Sequence, residues 1–105
     1  MEFEINGSIW EIEEVAEYEM RVKAENDYTL GLTVYTEQKV YITKEQKNKE
    51  KTLRHELAHV WLFENGHNAH ERSFNHEDVC EIVASSWKFI NKITSEYTKW
   101  KKRKK

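Results

Sequence analysis

The sequence predicts an α+β fold in which a small antiparallel β-sheet, made of two hairpins, packs on two helices. The first half of the chain alternates β-branched and aromatic residues around turn signals, and the second half has helical periodicity without proline. With 105 residues the chain has the size of one domain, since a second core would leave each half too small to be stable. We therefore expect a single domain over residues 1–105, with a basic C-terminal tail at residues 99–105.

Both hairpins are predicted in the first half of the chain. Apolar residues surround the pair Asn6-Gly7, which is a strong signal for a tight turn between antiparallel strands. Residues 28–43 are rich in β-branched and aromatic types, and the polar segment 36–39 interrupts them, which predicts the second hairpin. Residues 13–25 fit a helix and a third strand equally well, and both interpretations stay open.

The second half is predicted to contain two helices, over residues 51–65 and 76–98. Gly66 lies where a helix ends in a left-handed residue, and Asn75 with Asp78 is typical of a helix N-cap. The first helix is apolar around nearly its whole circumference, which predicts that it is buried. The two predicted helices are therefore joined by a polar loop and pack on the sheet.

The charges are distributed unevenly along the chain. The net charge is -2, yet six of the 17 basic residues lie in the last seven positions, so residues 1–98 carry 11 basic and 19 acidic residues. An acidic body disfavours broad binding to nucleic acid, and only the tail is suited to an anionic surface. No stretch approaches the length of about 20 apolar residues that a membrane span needs. The lone Cys80 excludes an internal disulfide, and we expect a cytoplasmic protein without a membrane partner.

The sequence His55-Glu56-Leu57-Ala58-His59 is the motif that indicates chemistry. On a helix, residues four apart project from one face, so His55 and His59 are spaced to present two imidazole nitrogens to one zinc ion. Glu56 is offset by about 100°, which suits a general base that acts on a water beside the metal. The alternative is a pair of core histidines that hydrogen-bond backbone groups.

A catalytic zinc site needs a third protein ligand. The spacing after His59 lacks the glycine and histidine of the HExxHxxGxxH pattern, so the ligand must come from elsewhere. Glu77 and Glu81 lie four residues apart on one face of the second predicted helix, with an apolar stripe on its other side. One of them is expected to bind the metal while the other hydrogen-bonds a ligand histidine; two solvated carboxylates are the alternative.

Other candidate residues are weaker. Three histidines in or beside the loop between the helices are suited to donating a hydrogen bond in the transition state or to acting as an alternative ligand, but surface histidines are common there: His67, His70 and His76. Three tyrosines in the strand-rich segment are suited to polarising a carbonyl, but strand aromatics are ordinarily packing groups and none is assigned: Tyr28, Tyr35 and Tyr41. Cys80 is interpreted as a small buried residue outside the site.

The chain resembles the gluzincins, in which HExxH precedes a helix with a ligand Glu and an Asp four residues on. More closely, the segments 51–59 and 76–84 resemble the small ImmA/IrrE-type metallopeptidases of bacterial mobile elements and phages, and the resemblance covers residues 28–95. It implies a minimal zincin-like fold, with Glu77 as the third zinc ligand and Glu81 as the outer carboxylate. Glu81 stands where the family has the shorter Asp, and the chain is short for the family, so the reverse assignment stays open.

The expected function is hydrolysis of peptide bonds in a protein substrate, with Zn2+ held by His55, His59 and Glu77 and with Glu56 as the general base. The family resemblance implies that the substrate is often a DNA-binding repressor. One alternative is a non-catalytic binding protein that keeps the zinc fold and engages a regulator or nucleic acid. Another is a site for iron or nickel, or for no metal at rest. The oligomeric state is left open.

Overall fold

The structure, a computed structural model, describes residues 1–67 and 74–104. Within these ranges it contains a four-stranded mixed sheet and three helices, which confirms the predicted α+β class. The elements in chain order are β1 (Glu2–Ile5), β2 (Ser8–Val15), α1 (Glu17–Ala24), β3 (Gly31–Val34), β4 (Lys39–Thr43), α2 (Lys49–Glu64) and α3 (His76–Arg103).

The sheet has the strand order β1-β2-β4-β3. The pairs β1/β2 and β3/β4 are antiparallel, whereas β2 and β4 are parallel. Asn6 and Gly7 connect β1 to β2, and both have positive φ angles (50° and 84°), as a tight turn of this kind requires. The prediction of a wholly antiparallel sheet is therefore wrong. Because α1 and β3 lie between β2 and β4 in the chain, they carry it back so that β4 runs in the direction of β2.

The segment that the sequence left open, residues 13–25, forms the end of β2 and the helix α1. The prediction of two helices was thus incomplete. Met20 is the one buried residue of α1, and it packs against Val15 and Tyr41. A short helix that buries a single side chain has almost no apolar periodicity, so its sequence does not distinguish it from a strand.

The sheet is covered on both faces, and β4 shows how. Val40 and Ile42 belong to the main core with α2 and α3, whereas the intervening Tyr41 packs with α1, as the two-residue period of a strand dictates. The buried side chains of the main core come from β1, β2, β4, α2 and α3: Phe3, Ile5, Trp10, Ile12, Val40, Ile42, Leu53, Leu57, Val60, Ile93 and Tyr97. The core therefore ties the two halves of the sequence together.

The ends of the helices follow local chemistry. Gly66 has a φ of 78°, and Asn75 forms a capping box with Asp78 at the start of α3, so both predicted signals are confirmed. Helix α3 continues beyond residue 98 to Arg103, because Tyr97 and Trp100 pack on the core. Most of the predicted basic tail is therefore helical. Among residues 1–67 and 74–104, no helix has both the length and the apolar composition that crossing a membrane requires.

Candidate functional site

Only one face of α2 is buried. Leu53, Leu57 and Val60 are inaccessible to solvent, whereas the side chain of His55 is 70% exposed. The prediction that this helix is buried on all sides is therefore wrong. The sheet and α3 cover one side of α2, and the apolar residues outside that contact, such as Phe63, remain partly exposed. His55 consequently faces a groove and solvent rather than the core.

His55 and His59 lie side by side on α2. Their ring centroids are 5.0 Å apart and the ring planes meet at 72°. His59 is half-buried, one turn closer to the C-terminal end of the helix. Two imidazoles at this spacing on one helix form the kind of nitrogen pair that binds zinc in proteins.

Glu56 is buried, with 6% of its surface exposed. Its Oε1 accepts a hydrogen bond of 2.7 Å from the Thr33 hydroxyl on β3, and its Oε2 is 4.0 Å from His55 Nε2. A buried carboxylate is costly unless polar groups surround it, and here one oxygen is fixed by the strand while the other lies beside the histidine. The carboxylate therefore has a defined direction.

Gly31 allows β3 to approach α2 this closely. A Cβ atom at this position would lie 2.6 Å from Thr52 Cγ2, 3.0 Å from Glu56 Cγ and 3.1 Å from Glu56 Oε2. Any larger residue would displace the edge strand or the two α2 side chains. Gly31 and Thr33 are part of the site but were missed by sequence analysis, because nothing local in residues 28–43 indicates which helix they face.

A groove of about 620 Å³ opens beside His55 and Glu56. We call it the His55 groove. Its walls are the start of α2, the segment from Tyr28 to Gly31, and the loop of Gln46, Lys47 and Asn48. The Gln46 amide donates to the Leu30 carbonyl oxygen (3.0 Å) and so fixes the loop to the chain that leads into β3.

Tyr35 follows β3 and lies near the carboxylate of Glu56. Its ring packs on Phe63, with centroids 4.7 Å apart, and meets Trp10 edge to face. Burial raises the pKa of the Tyr35 phenol, and the negative charge of Glu56 raises this pKa further. Of the three candidate tyrosines, Tyr35 is thus the one whose pKa responds to the charge of Glu56, and nothing in its local sequence distinguishes it from Tyr28 or Tyr41.

Glu77 and Glu81 are exposed near the start of α3. They lie on the opposite side of the helix from Ser86 and Ile93, which face the core. Glu81 accepts a hydrogen bond of 3.2 Å from Ser85 on its own helix. Within residues 1–67 and 74–104, no group of three or more His, Cys, Asp or Glu side chains is arranged to hold a metal ion. The structure therefore does not bring either glutamate together with the histidine pair.

The remaining candidate residues lie in different surroundings. His67 stacks on Trp61, with ring centroids 5.6 Å apart, and His76 lies 4.0 Å from the sulfur of Cys80. Cys80 is exposed, which corrects its interpretation as a buried residue, because the start of α3 presents this side to solvent. His70 lies outside the described residues.

The phenol of Tyr41 donates to Glu37 (2.5 Å), away from α2, whereas Tyr28 lines the His55 groove.

Comparison of the chain with protein-family models, with curated proteins and with solved structures finds no match. Its function is therefore inferred from its own residues. As a metal site, the donors fit in type, because neutral imidazoles are among the commonest zinc ligands and the nearby carboxylate suits proton transfer. The pair needs at least one more protein ligand.

Proposed function

We propose that this chain is a metal-dependent hydrolase whose His55 and His59 hold a divalent ion, with zinc as the expected metal. The observation that carries the proposal is a buried carboxylate, Glu56, with one oxygen 4.0 Å from the ring of His55 and with an open groove in front of it. A merely structural zinc site needs no carboxylate in this position.

More particularly, we propose a zinc peptidase of the gluzincin-like, ImmA/IrrE type, with a minimal zincin-like fold. The sequence motif supports this class, and so does the position of the His55 groove beside the edge strand β3, since an extended peptide fits such an edge. The proposed substrate is a protein in the cytoplasm, with a repressor-type regulator as the candidate that the resemblance suggests.

Glu56 performs the proton transfers in this proposal. When bound, zinc would supply a water of lowered pKa and would polarise the peptide carbonyl. Glu56 accepts a proton through the oxygen that faces His55, and it later returns the proton to the leaving amine. Thr33 holds the other oxygen, so the carboxylate does not turn away from the groove between these two transfers.

Glu77 is the proposed third ligand and Glu81 the proposed partner of a ligand histidine. Both lie in the first two turns of α3, where Val79 and Val83 are also exposed. Because these first turns are exposed, the proposal requires this end of α3 to shift and turn towards α2 so that a carboxylate reaches the histidines. If Glu81 is the ligand instead, substitution of Glu81 and not of Glu77 abolishes metal binding.

Metal binding is the first test. We expect about one zinc ion per purified chain by elemental analysis. The zinc should be lost in His59→Ala and in Glu77→Gln. It should be retained in the controls His76→Ala and Glu96→Gln. The two controls change a histidine and a glutamate of α3 that are not proposed to bind the metal. If Glu81→Gln loses zinc while Glu77→Gln retains it, the roles of the two glutamates are exchanged. A wild-type chain that neither contains nor takes up zinc overturns the proposal.

Glu56→Gln separates catalysis from metal binding. The amide keeps the size of the side chain and removes its basicity, so this variant should retain zinc and lose peptide hydrolysis by about two orders of magnitude or more. The assay is cleavage of an unfolded protein by the zinc-loaded wild type and by this variant. Equal cleavage by both excludes Glu56 as the base, and zinc binding without cleavage by the wild type favours the alternative of a non-catalytic zinc-fold protein.

A further inference from the structure

A second cleft lies on the other side of the loop that borders the His55 groove. It measures about 530 Å³ and lies between the start of α2 and the end of α3. Four lysines line it: Lys47, Lys49, Lys101 and Lys102. They come from two segments that are far apart in the sequence, and only the fold brings them to one place. We call this feature the lysine cleft.

The lysines on the inner side of the cleft are anchored by one carboxylate. Glu14 on β2 accepts hydrogen bonds from Lys101 (3.0 Å) and Lys49 (3.4 Å), as well as from the Tyr97 hydroxyl. Two ammonium groups thus share a single negative charge, and a net positive charge remains. The contact also joins the end of α3 to the start of α2 through β2.

The lysines on the outer side are not neutralised. Lys47 and Lys102 are exposed, and neither forms an ion pair with any residue in the described ranges. Glu50, the one acidic residue that lines the cleft, lies 3.5 Å from Arg54. The lysine cleft is therefore a positive surface on a protein whose residues 1–98 carry 11 basic and 19 acidic residues.

The lysine cleft and the His55 groove share a wall. Gln46, Lys47 and Asn48 line both of them, on opposite sides of one short loop. Lys51 also lines the His55 groove and adds positive charge on the path between them. The groove and the cleft therefore adjoin at this loop, where a polypeptide that lies in the groove can continue towards the lysines.

We propose that the lysine cleft binds an acidic segment of the polypeptide whose neighbouring residues occupy the His55 groove. The identity of the groove's occupant rests on the function proposed above, whereas the charge preference of the cleft does not. A carboxylate-rich peptide is favoured over nucleic acid because residues 1–98 carry 11 basic and 19 acidic residues, and this excess of negative charge disfavours the many phosphate contacts that nucleic-acid binding needs. The substrate class is thereby narrowed to proteins with an acidic stretch beside the cleaved bond.

The test uses the metal-free chain and a fluorescein-labelled peptide of about ten glutamates, about 33 Å long when extended. Binding is measured by fluorescence anisotropy at low ionic strength. We expect Lys47→Glu/Lys102→Glu to bind at least about tenfold more weakly than the wild type, and Lys47→Gln/Lys102→Gln to lie between them. Lys88→Glu/Lys92→Glu makes the same change of net charge on the exposed side of α3 and should weaken binding clearly less than Lys47→Glu/Lys102→Glu does.

Salt provides a second readout, because raising the ionic strength from about 0.01 M to 0.15 M shortens the Debye length from about 30 Å to 8 Å and should weaken binding. Equal losses in the two charge-reversal variants overturn the proposal, since net charge alone would then explain them. Tighter binding of a single-stranded oligonucleotide with the same number of charges also overturns it and assigns the cleft to nucleic acid. The peptide requires neither zinc nor hydrolysis, so this result is independent of the metal test.

Discussion

At the scale of single residues, the contact between Thr33 and Glu56 determines how the carboxylate of the site is held. Thr33 lies on β3 and Glu56 on α2, and their hydrogen bond of 2.7 Å joins the edge strand to the helix. Gly31, two residues earlier on the same strand, provides the space that the contact needs. This part of the site therefore consists of the Thr33 hydroxyl, the Glu56 carboxylate and the space that Gly31 leaves because it has no side chain. Two substitutions on β3 test this description.

Thr33→Val keeps the β-branched shape and removes the hydroxyl that donates to Glu56. The buried carboxylate then loses a charge-assisted hydrogen bond, and we expect the free energy of unfolding at neutral pH to fall by about 1.5–3 kcal/mol. Urea denaturation of the metal-free chain measures the change, with Thr33→Ser as the control that retains the donor. If Val costs no more than Ser, Glu56 does not depend on Thr33.

Gly31→Ala introduces a Cβ 2.6 Å from Thr52 Cγ2 and 3.0 Å from Glu56 Cγ. The overlap should lower the free energy of unfolding by about 1–3 kcal/mol. Thr52→Ser removes the nearer methyl group and keeps the hydroxyl, so the double variant should recover part of the loss. Additive losses in a double-mutant cycle would show that the two positions do not collide.

At the scale of elements, the two helices of the site are held to different degrees. Helix α2 buries Leu53, Leu57 and Val60, so its central turns are fixed by the core. Helix α3 is buried mainly in its second half, whereas its first turns expose Val79 and Val83 and depend on the cap at Asn75. Because the proposed ligands Glu77 and Glu81 lie in these first turns, local stability there bears directly on metal binding.

Asn75→Ala removes the side chain that accepts a hydrogen bond of 2.8 Å from the backbone of Asp78. We expect the free energy of unfolding to fall by about 1 kcal/mol, with the largest increase in amide hydrogen exchange in the first turn of α3. Asn75→Asp keeps the acceptor and should exchange like the wild type. Uniformly faster exchange along the whole helix would contradict a local role for the cap.

At the scale of the whole molecule, Glu14 joins the sheet to both long helices. It lies on β2 and contacts Lys49 of α2 and both Tyr97 and Lys101 of α3. Burial of the carboxyl opposes ionisation, but the hydrogen bonds and the two ammonium charges outweigh it, so the pKa of Glu14 lies below its ordinary value. The same contacts raise the pKa of the Tyr97 phenol, through burial first and the hydrogen bond to Glu14 second.

The lowered pKa of Glu14 predicts a pH dependence of stability. A carboxyl with a depressed folded-state pKa contributes stability above its unfolded pKa of about 4.3, and this contribution is lost as the pH falls through the folded value. Glu14→Gln should therefore be less stable than the wild type at pH 7, by about 1–3 kcal/mol. The difference should shrink towards zero in strong acid. Urea denaturation at several pH values measures it, and Glu4→Gln, at an exposed position on β1, should show no such trend.

Features that depend on a few neighbouring residues were predictable. The turn at Asn6-Gly7, the left-handed Gly66 and the cap at Asn75 follow from the local chemistry of each residue type. The adjacency of His55 and His59 follows in the same way from the period of a helix. These local signals therefore predict the turns, the helix ends and the pair of histidines in the candidate site.

Features that depend on which elements meet were predicted wrongly or not at all. The parallel pairing of β2 with β4 and the exposure of His55 both depend on how the chain crosses the sheet. Thr33 lies 23 positions before Glu56, so no periodicity relates the two. The placement of Glu77 and Glu81 depends likewise on which side of α3 faces the core.

The α+β class, the turn and cap residues, and the motif on α2 that suggests a metal follow from the amino-acid sequence, because each depends on contacts within a few residues. The hold of β3 on Glu56 through Thr33, and the cleft formed by lysines at the start of α2 and the end of α3, arise only in the folded chain. Those features join residues far apart in the chain. The packing of apolar faces places such residues next to one another, and this packing is a property of the whole fold.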